Sequence, residues 1–288
     1  MTPRGLFLLW LAVAAGAAGA ADPALAAGPA PEAPGALPRR VIALAPNLTE
    51  IVFALGAGDR LVGVSERSDY PPAAAAIPVV GGVTPDLERI VSLRPDLVLA
   101  TSEGNSPATV EILVRQGIPV LATSAPDLSG VIASIRAVAG RLGLRETGER
   151  LALALESRRE AVRRRTRQKG RPTEVLLIWP APPQAAGAGT FGGDIVSTAG
   201  GENCVPRQGW PVLSPEFLVE ADCSVIVYPR EPGTRATFER AFRDGPLSRM
   251  AAVRAGRVVG IDGDRLTRPG PRAFDALEDL AAAFDRLP

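Results

Sequence analysis

GGVTPDLERIVSLRPDLVLAT (81–101) decides how this chain folds. A short helical run, DLERIVSL (86–93), passes through an Arg-Pro-Asp corner into DLVLA (96–100), an apolar run that reads as a strand. The same order returns at PVLSPEFLVEADCSVIVY (211–228), where SPEFLVEA (214–221) is helical and SVIVY (224–228) is the strand. Pro85-Asp86-Leu87-Glu88 aligns with Leu213-Ser214-Pro215-Glu216, which puts Glu88 and Glu216 in the first turns of their helices. The free N–H groups and the helix dipole favour a carboxylate there, so each residue on its own needs no other explanation. Its recurrence at equivalent places in two halves asks for one.

Around these segments, short β-type runs alternate with helical ones. RVIAL (40–44), LVGVS (61–65), DLVLA (96–100) and IPVLAT (118–123) are strands. NLTEIVFALGAG (47–58), DLERIVSL (86–93) and SPATVEILVRQG (106–117) are the intervening helices. SDYPP (68–72) is a turn that carries an aromatic ring. The alternation predicts a parallel sheet covered by helices. It then stops, because 127–141 and 146–168 are both helical with no strand between them. The cycle resumes with EVLLIW (174–179), a Pro/Gly/Ala loop over 180–193, DIVSTAG (194–200), SVIVY (224–228) and RVVGI (257–261). Helices are expected at 234–243, 248–255 and 271–287. The fold class is therefore α/β: two lobes with parallel-sheet cores flanked by helices, joined by a long backbone helix. The expected boundaries are an N-terminal lobe over 39–145, the backbone helix over 146–170 and a C-terminal lobe over 171–288.

Residues 1–20 have the layout of a secretory signal peptide: Arg4, an uncharged apolar run, then Ala18-Gly19-Ala20. Residues 21–38 are mostly Ala, Pro and Gly and read as a disordered leader. With 32 basic and 31 acidic residues the chain is near neutral, which argues against a nucleic-acid partner. Eight Arg/Lys fall within 158–171, but no aromatic is interleaved with them, so a solvated helix face explains them. The chain has no histidine. That removes the usual imidazole ligands for zinc, manganese or iron and the usual Ser-His or Cys-His nucleophiles. No metal or cofactor of the protein's own is expected. Cys204 and Cys223 are the two cysteines; in an exported chain they favour a disulfide, with two separately buried thiols as the alternative.

The ordered set RVIALAPNLTEIVFALGAGDRLVGVSERSDYPP (40–72), GGVTPDLERIVSLRPDLVLAT (81–101), GIPV (117–120), STAGGEN (197–203), WPVLSPEFLVEADCSVIVY (210–228) and PRAFDALEDL (271–280) resembles the periplasmic substrate-binding proteins of the vitamin B12 and iron-siderophore ABC importers. The resemblance spans nearly all of 39–288. It implies a periplasmic receptor, free of the membrane after signal cleavage, that carries a bulky metal chelate to the permease subunits. Cobalamin or another corrinoid is the expected ligand, with a ferric siderophore or haem as the alternative. Glu88 and Glu216 match the acidic residues that dock onto permease arginines, one per lobe. Tyr70, Trp210 and Asp264 match residues lining the cleft between lobes, and Thr101 and Phe191 complete the expected ligand-binding set. The chain departs from cobalamin receptors in two places where they often carry tryptophan: the VTPDLE loop and TSEGN (101–105). Arg67, Arg207, Arg265 and Arg268, near cleft-forming segments, would suit an anionic ligand, although each reads first as an exposed solubility residue. Two other readings remain open at this point. An exported α/β hydrolytic enzyme would have only carboxylates as bases and lacks a G-x-S-x-G elbow. A sensor that binds without transport would not need both docking glutamates.

Overall fold

The computed structural model describes residues 37–167, 172–231 and 233–287. The expected signal peptide, residues 21–36 of the expected leader and positions 168–171 of the basic stretch lie outside the described residues. The described chain divides into two units. The N-terminal unit comprises 37–125 and 129–155, and the C-terminal unit 126–128 and 156–287.

In the N-terminal unit β1 (Val41–Ala43), α1 (Pro46–Ala54), β2 (Leu61–Val64), α2 (Leu87–Ser92), β3 (Leu97–Thr101), α3 (Pro107–Arg115) and β4 (Val120–Thr123) follow in order. The strands form one parallel sheet in the order β2-β1-β3-β4. β1 and β3 are buried throughout because strands cross beside them and helices cover both faces. Ile42, Val80, Ile90, Val98 and Leu113 form part of the core between sheet and helices. α4 (Leu128–Arg141) and α5 (Arg145–Thr166) follow without a strand between them. Arg136 on α4 forks onto Glu149 on α5, with both N–O distances 2.8 Å. The division between units falls inside α5, at Glu156.

The C-terminal unit holds β5 (Thr173–Pro180), β6 (Pro183–Ala185), α6 (Phe191–Thr198), β7 (Glu202–Asn203), α7 (Pro215–Glu220), β8 (Val225–Arg230), α8 (Arg235–Asp244), α9 (Ala251–Arg254), β9 (Val258–Asp262), α10 (Gly263–Thr267) and α11 (Ala273–Asp285). Its sheet runs β6-β5-β8-β9, with β7 also paired to β5. All pairings are parallel except β5 with β6. Four elements depart from the sequence reading, the short strand β7 among them. β6 lies in the stretch expected to be loop, α6 begins three residues earlier than DIVSTAG, and α10 was not expected. β6 is a three-residue edge strand in a Pro-rich segment, and edges tolerate proline because one side needs no ladder bond. The core gathers Val175, Leu177, Ile226, Phe238 and Met250, with the rings of Tyr228, Phe238 and Phe242 packed together in tilted and edge-on pairs.

Part of the basic stretch is spent within this unit. Arg158 pairs with Asp275 at 2.7 Å and bidentately with Glu278 at 2.8 Å, and Arg165 reaches Asp285 at 3.4 Å. Those carboxylates hold the Arg158 guanidinium even further above its ordinary value, and Arg158 in turn holds Glu278 low.

Candidate functional site

In the first sheet the chain moves from β1 to β2 on one side and returns to β3 on the other. Ligands of open parallel sheets bind outside the carboxyl ends of the strands at such a switch point. Four loops reach this edge: 44–45 after β1, 65–70 after β2, 102–105 after β3 and 124–125 after β4. Asn105 braces it, accepting the Thr101 N–H at 2.9 Å and donating to the Leu44 carbonyl at 3.3 Å. Ser68 links Thr49 and Ser65 through hydroxyl bonds of 2.9 Å, all three buried, and so anchors the loop that carries Tyr70. Tyr70 itself is 44% exposed.

Thr101 is only 2% exposed, and its hydroxyl donates to the Glu103 carboxylate. Glu103 also accepts from Ser102 Oγ at 3.0 Å, Ser124 Oγ at 2.6 Å and the Ala125 N–H at 2.9 Å. One carboxylate thus ties the loop after β3 to the loop after β4. Sequence reasoning named Thr101 but missed Glu103, Ser102 and Ser124: the rest of TSEGN was read only for the aromatic it lacks. The available signal was a glutamate among hydroxyls at the ends of two adjacent parallel strands. The second departure has a structural counterpart as well. A Cβ on Gly82 would lie 2.3 Å from Glu66 Oε1, so the Glu66 carboxylate fills the space beside the Gly81-Gly82 turn.

In the C-terminal unit the segment bearing Trp210 runs alongside 183–188. Ala185 N–H donates to the Pro211 carbonyl at 3.1 Å, Gly187 N–H to Gly209 at 2.8 Å and Leu213 N–H to Pro183 at 2.8 Å. Gln184 fixes the Trp210 carbonyl at 3.1 Å. Gly187 is required here, because a Cβ would meet the Arg207 carbonyl oxygen at 2.0 Å. The Trp210 indole edge lies 3.7 Å from where a Gly192 Cβ would stand, so Trp210 packs over the first turn of α6. Phe191 is 7% exposed. Asp264 lies just beyond the carboxyl end of β9, on α10. It pairs with Arg268 at 2.6 Å, and the Arg268 side chain is 11% exposed, so the two charges offset one another locally.

A pocket of about 500 Å³ in this unit is lined by Asp127, Thr190, Asp194, Ser197 and Asn203. Much of its polar lining is engaged in local structure: Asp194 accepts the Leu128 N–H at the start of α4, Thr190 caps α6, and Asn203 bonds Ala186 and Val205. None of the sequence-expected residues lines it.

The paired glutamates sit on matched scaffolds. α2 is capped by Asp86, which accepts the Arg89 N–H at 3.0 Å; α7 is capped by Ser214, which accepts the Phe217 N–H at 3.1 Å. Glu88 and Glu216 each follow their cap by two residues, and both are exposed. Arg94 and Asp222, with φ of 46° and 45°, are the non-glycine residues in the left-handed region among those described. They occupy the same position after the two helices. Asp86, Glu88, Arg94 and Leu97 thus step in register with Ser214, Glu216, Asp222 and Val225, with no insertion or deletion. Exposed Val83 and Val91 flank Glu88, and exposed Val212 precedes Glu216. Cys204 and Cys223 form a disulfide, with Cα atoms 6.1 Å apart, that ties β7 to the start of β8 beside α7.

Residues 41–264 match the family described as periplasmic binding protein. The vitamin B12-binding protein of Pectobacterium carotovorum is 31% identical over 88% of this chain and 90% of its own length. An uncharacterized ABC transporter substrate-binding lipoprotein of Bacillus subtilis, YvrC, is 29% identical over 86% and 80%. Among solved structures, the apo periplasmic haem-binding protein RhuT from Roseiflexus sp. RS-1 aligns with a TM-score of 0.78 and 31% identity over 87% of this chain and 98% of that one. The vitamin B12-binding protein BtuF of Vibrio cholerae aligns with a TM-score of 0.77 and 28% identity over 86% and 97%.

Proposed function

This chain belongs to the periplasmic binding protein family, and we propose that it is the receptor for a corrinoid, which it hands to an ABC import permease. Substrate-binding proteins of this kind are transport components that work with membrane permease subunits and are not enzymes, which sets aside the hydrolase reading. No described helix is long and apolar enough to cross a membrane. The observation that carries the proposal is the matched pair of capped helices. Each presents an exposed glutamate in its first turn, held at a fixed spacing from the strand that follows. Exposed ion pairs of this type orient a partner more than they bind it.

For the ligand, the reading draws on the relatives named as vitamin B12-binding proteins and on the chemistry of the two edges. Tyr70 in the N-terminal unit and Trp210 in the C-terminal unit each carry a ring suited to a large apolar-edged chelate, whereas Phe191 is buried. Asp264 and Thr101 act less directly, through Arg268 and Glu103. Haem is the second reading, favoured by the likeness to RhuT and by the exposed phenol of Tyr70, an oxygen donor suited to ferric iron.

Titration of the protein with cyanocobalamin, a ferric siderophore and haemin, followed by tryptophan fluorescence, tests the assignment. Saturable quenching by cyanocobalamin, reduced in Trp210→Ala, is the expected result. Saturation by haemin or the siderophore alone would overturn the corrinoid assignment.

A further inference from the structure

The loops at the carboxyl edge of the first sheet commit their protons in one direction. Glu103 Oε1 accepts from Ser102 Oγ, Ser124 Oγ and the Ala125 N–H, and Oε2 accepts from Thr101 Oγ1. A carboxylate only accepts, and a hydroxyl has one proton to give. Each of these three hydroxyls therefore spends its proton on Glu103 and keeps only lone pairs for anything else. Thr101 is buried, whereas Ser102 and Ser124 are exposed. Thr123 behaves alike, turning its proton inward to the Ala100 carbonyl at 3.4 Å. The exposed face at this switch point thus offers oxygen acceptors backed by a carboxylate, in place of the ring expected from the resemblance.

We propose that the Glu103-ordered hydroxyls of Ser102 and Ser124 are specificity determinants that select ligands presenting N–H donors and reject ligands presenting carboxylates. The inference rests on the corrinoid reading above, which supplies the ligand that meets this edge. The corrin periphery of cobalamin carries primary amides, whose N–H groups can donate to both serine oxygens. A propionate or other carboxylate only accepts: it finds no donor in the pair and meets the Glu103 charge. Leaving such a group unpaired, with a repulsive charge beside it, is how a site discriminates against an isostere.

Two corrinoids of matched size isolate the effect. Dicyanocobinamide carries amides on its periphery, and dicyanocobyrinic acid carries carboxylates there; both lack the nucleotide loop. The protein is titrated with each, alongside Glu103→Gln and the double variant Ser102→Ala/Ser124→Ala, with thermal melts as a check on folding. The unaltered protein is expected to bind the amide form at least about tenfold more tightly. In Glu103→Gln the side-chain amide can donate to a serine, releasing that serine's proton outward, so the preference falls by about tenfold. The serine double variant loses affinity for the amide form and not for the carboxylate form. Should Glu103→Gln fail to fold, the serine variant decides, since both of its positions are exposed. Equal affinity for the two corrinoids in the unaltered protein, or a preference unchanged in the variants, overturns this inference and leaves the corrinoid receptor standing. Binding of neither corrinoid, nor of cyanocobalamin, overturns both.

Discussion

Glu174, the second residue of β5, has a fully buried carboxyl group that meets no hydrogen-bond partner among the described residues. Val196, Phe284 and the backbone of Gly201 close around it. Burial disfavours the charged form and pushes its pKa well above the usual carboxylate range. The folded state therefore keeps a proton that the unfolded chain releases. This proton-linked stability is fully present below the unfolded value of about 4.3 and is lost as pH rises through the raised folded value. Glu174→Met removes the titration while keeping the volume. Melts of both proteins from pH 4.5 to 8 should show the variant's advantage widening as pH rises; a constant difference would contradict the burial argument. The sequence concealed this residue, because a glutamate opening EVLLIW reads as an exposed strand end. β5 is flanked by β7 and β8 at this end, and that pairing buries its first carboxyl group. Glu103 was concealed for the opposite reason: its meaning lies in partners from a second loop, which spacing along one segment does not reveal.

The helix-then-strand units were the most legible elements. Their boundaries follow from Asp86 and Ser214 as caps and from the apolar runs that become β3 and β8. The left-handed residues that end them were not legible, since Arg94 and Asp222 are not the glycines usual at that position. Both are exposed, and an L-residue in that region costs about 1–2 kcal/mol. Arg94→Gly and Asp222→Gly should each raise stability by roughly 0.5–1 kcal/mol once the added freedom of the unfolded chain is subtracted. Denaturant midpoints would measure it. A loss of stability would mean that the native side chain makes a contact worth more than the strain. In the second half, β6 was invisible because APPQAAGAG carries turn residues and its pairing with β5 is antiparallel, outside the βα rhythm. α6 was placed late because Phe191-Gly192-Gly193 reads as loop, although Thr190 caps it.

Taken whole, the molecule pairs two parallel-sheet units, each offering a carboxyl edge and an exposed glutamate. In the proposed function, ligand binding and docking fall to different side chains and can be separated by mutation. In that reading the double variant Glu88→Ala/Glu216→Ala removes two exposed ion pairs of up to about 1 kcal/mol each, which weakens docking by up to about thirtyfold. The decisive measurement sets uptake of labelled cyanocobalamin by cells carrying the variant against the affinity of the purified variant for the same ligand. Uptake reduced by about tenfold with unchanged affinity is the predicted result. Uptake as rapid as with the unaltered protein, at equal affinity, would contradict it.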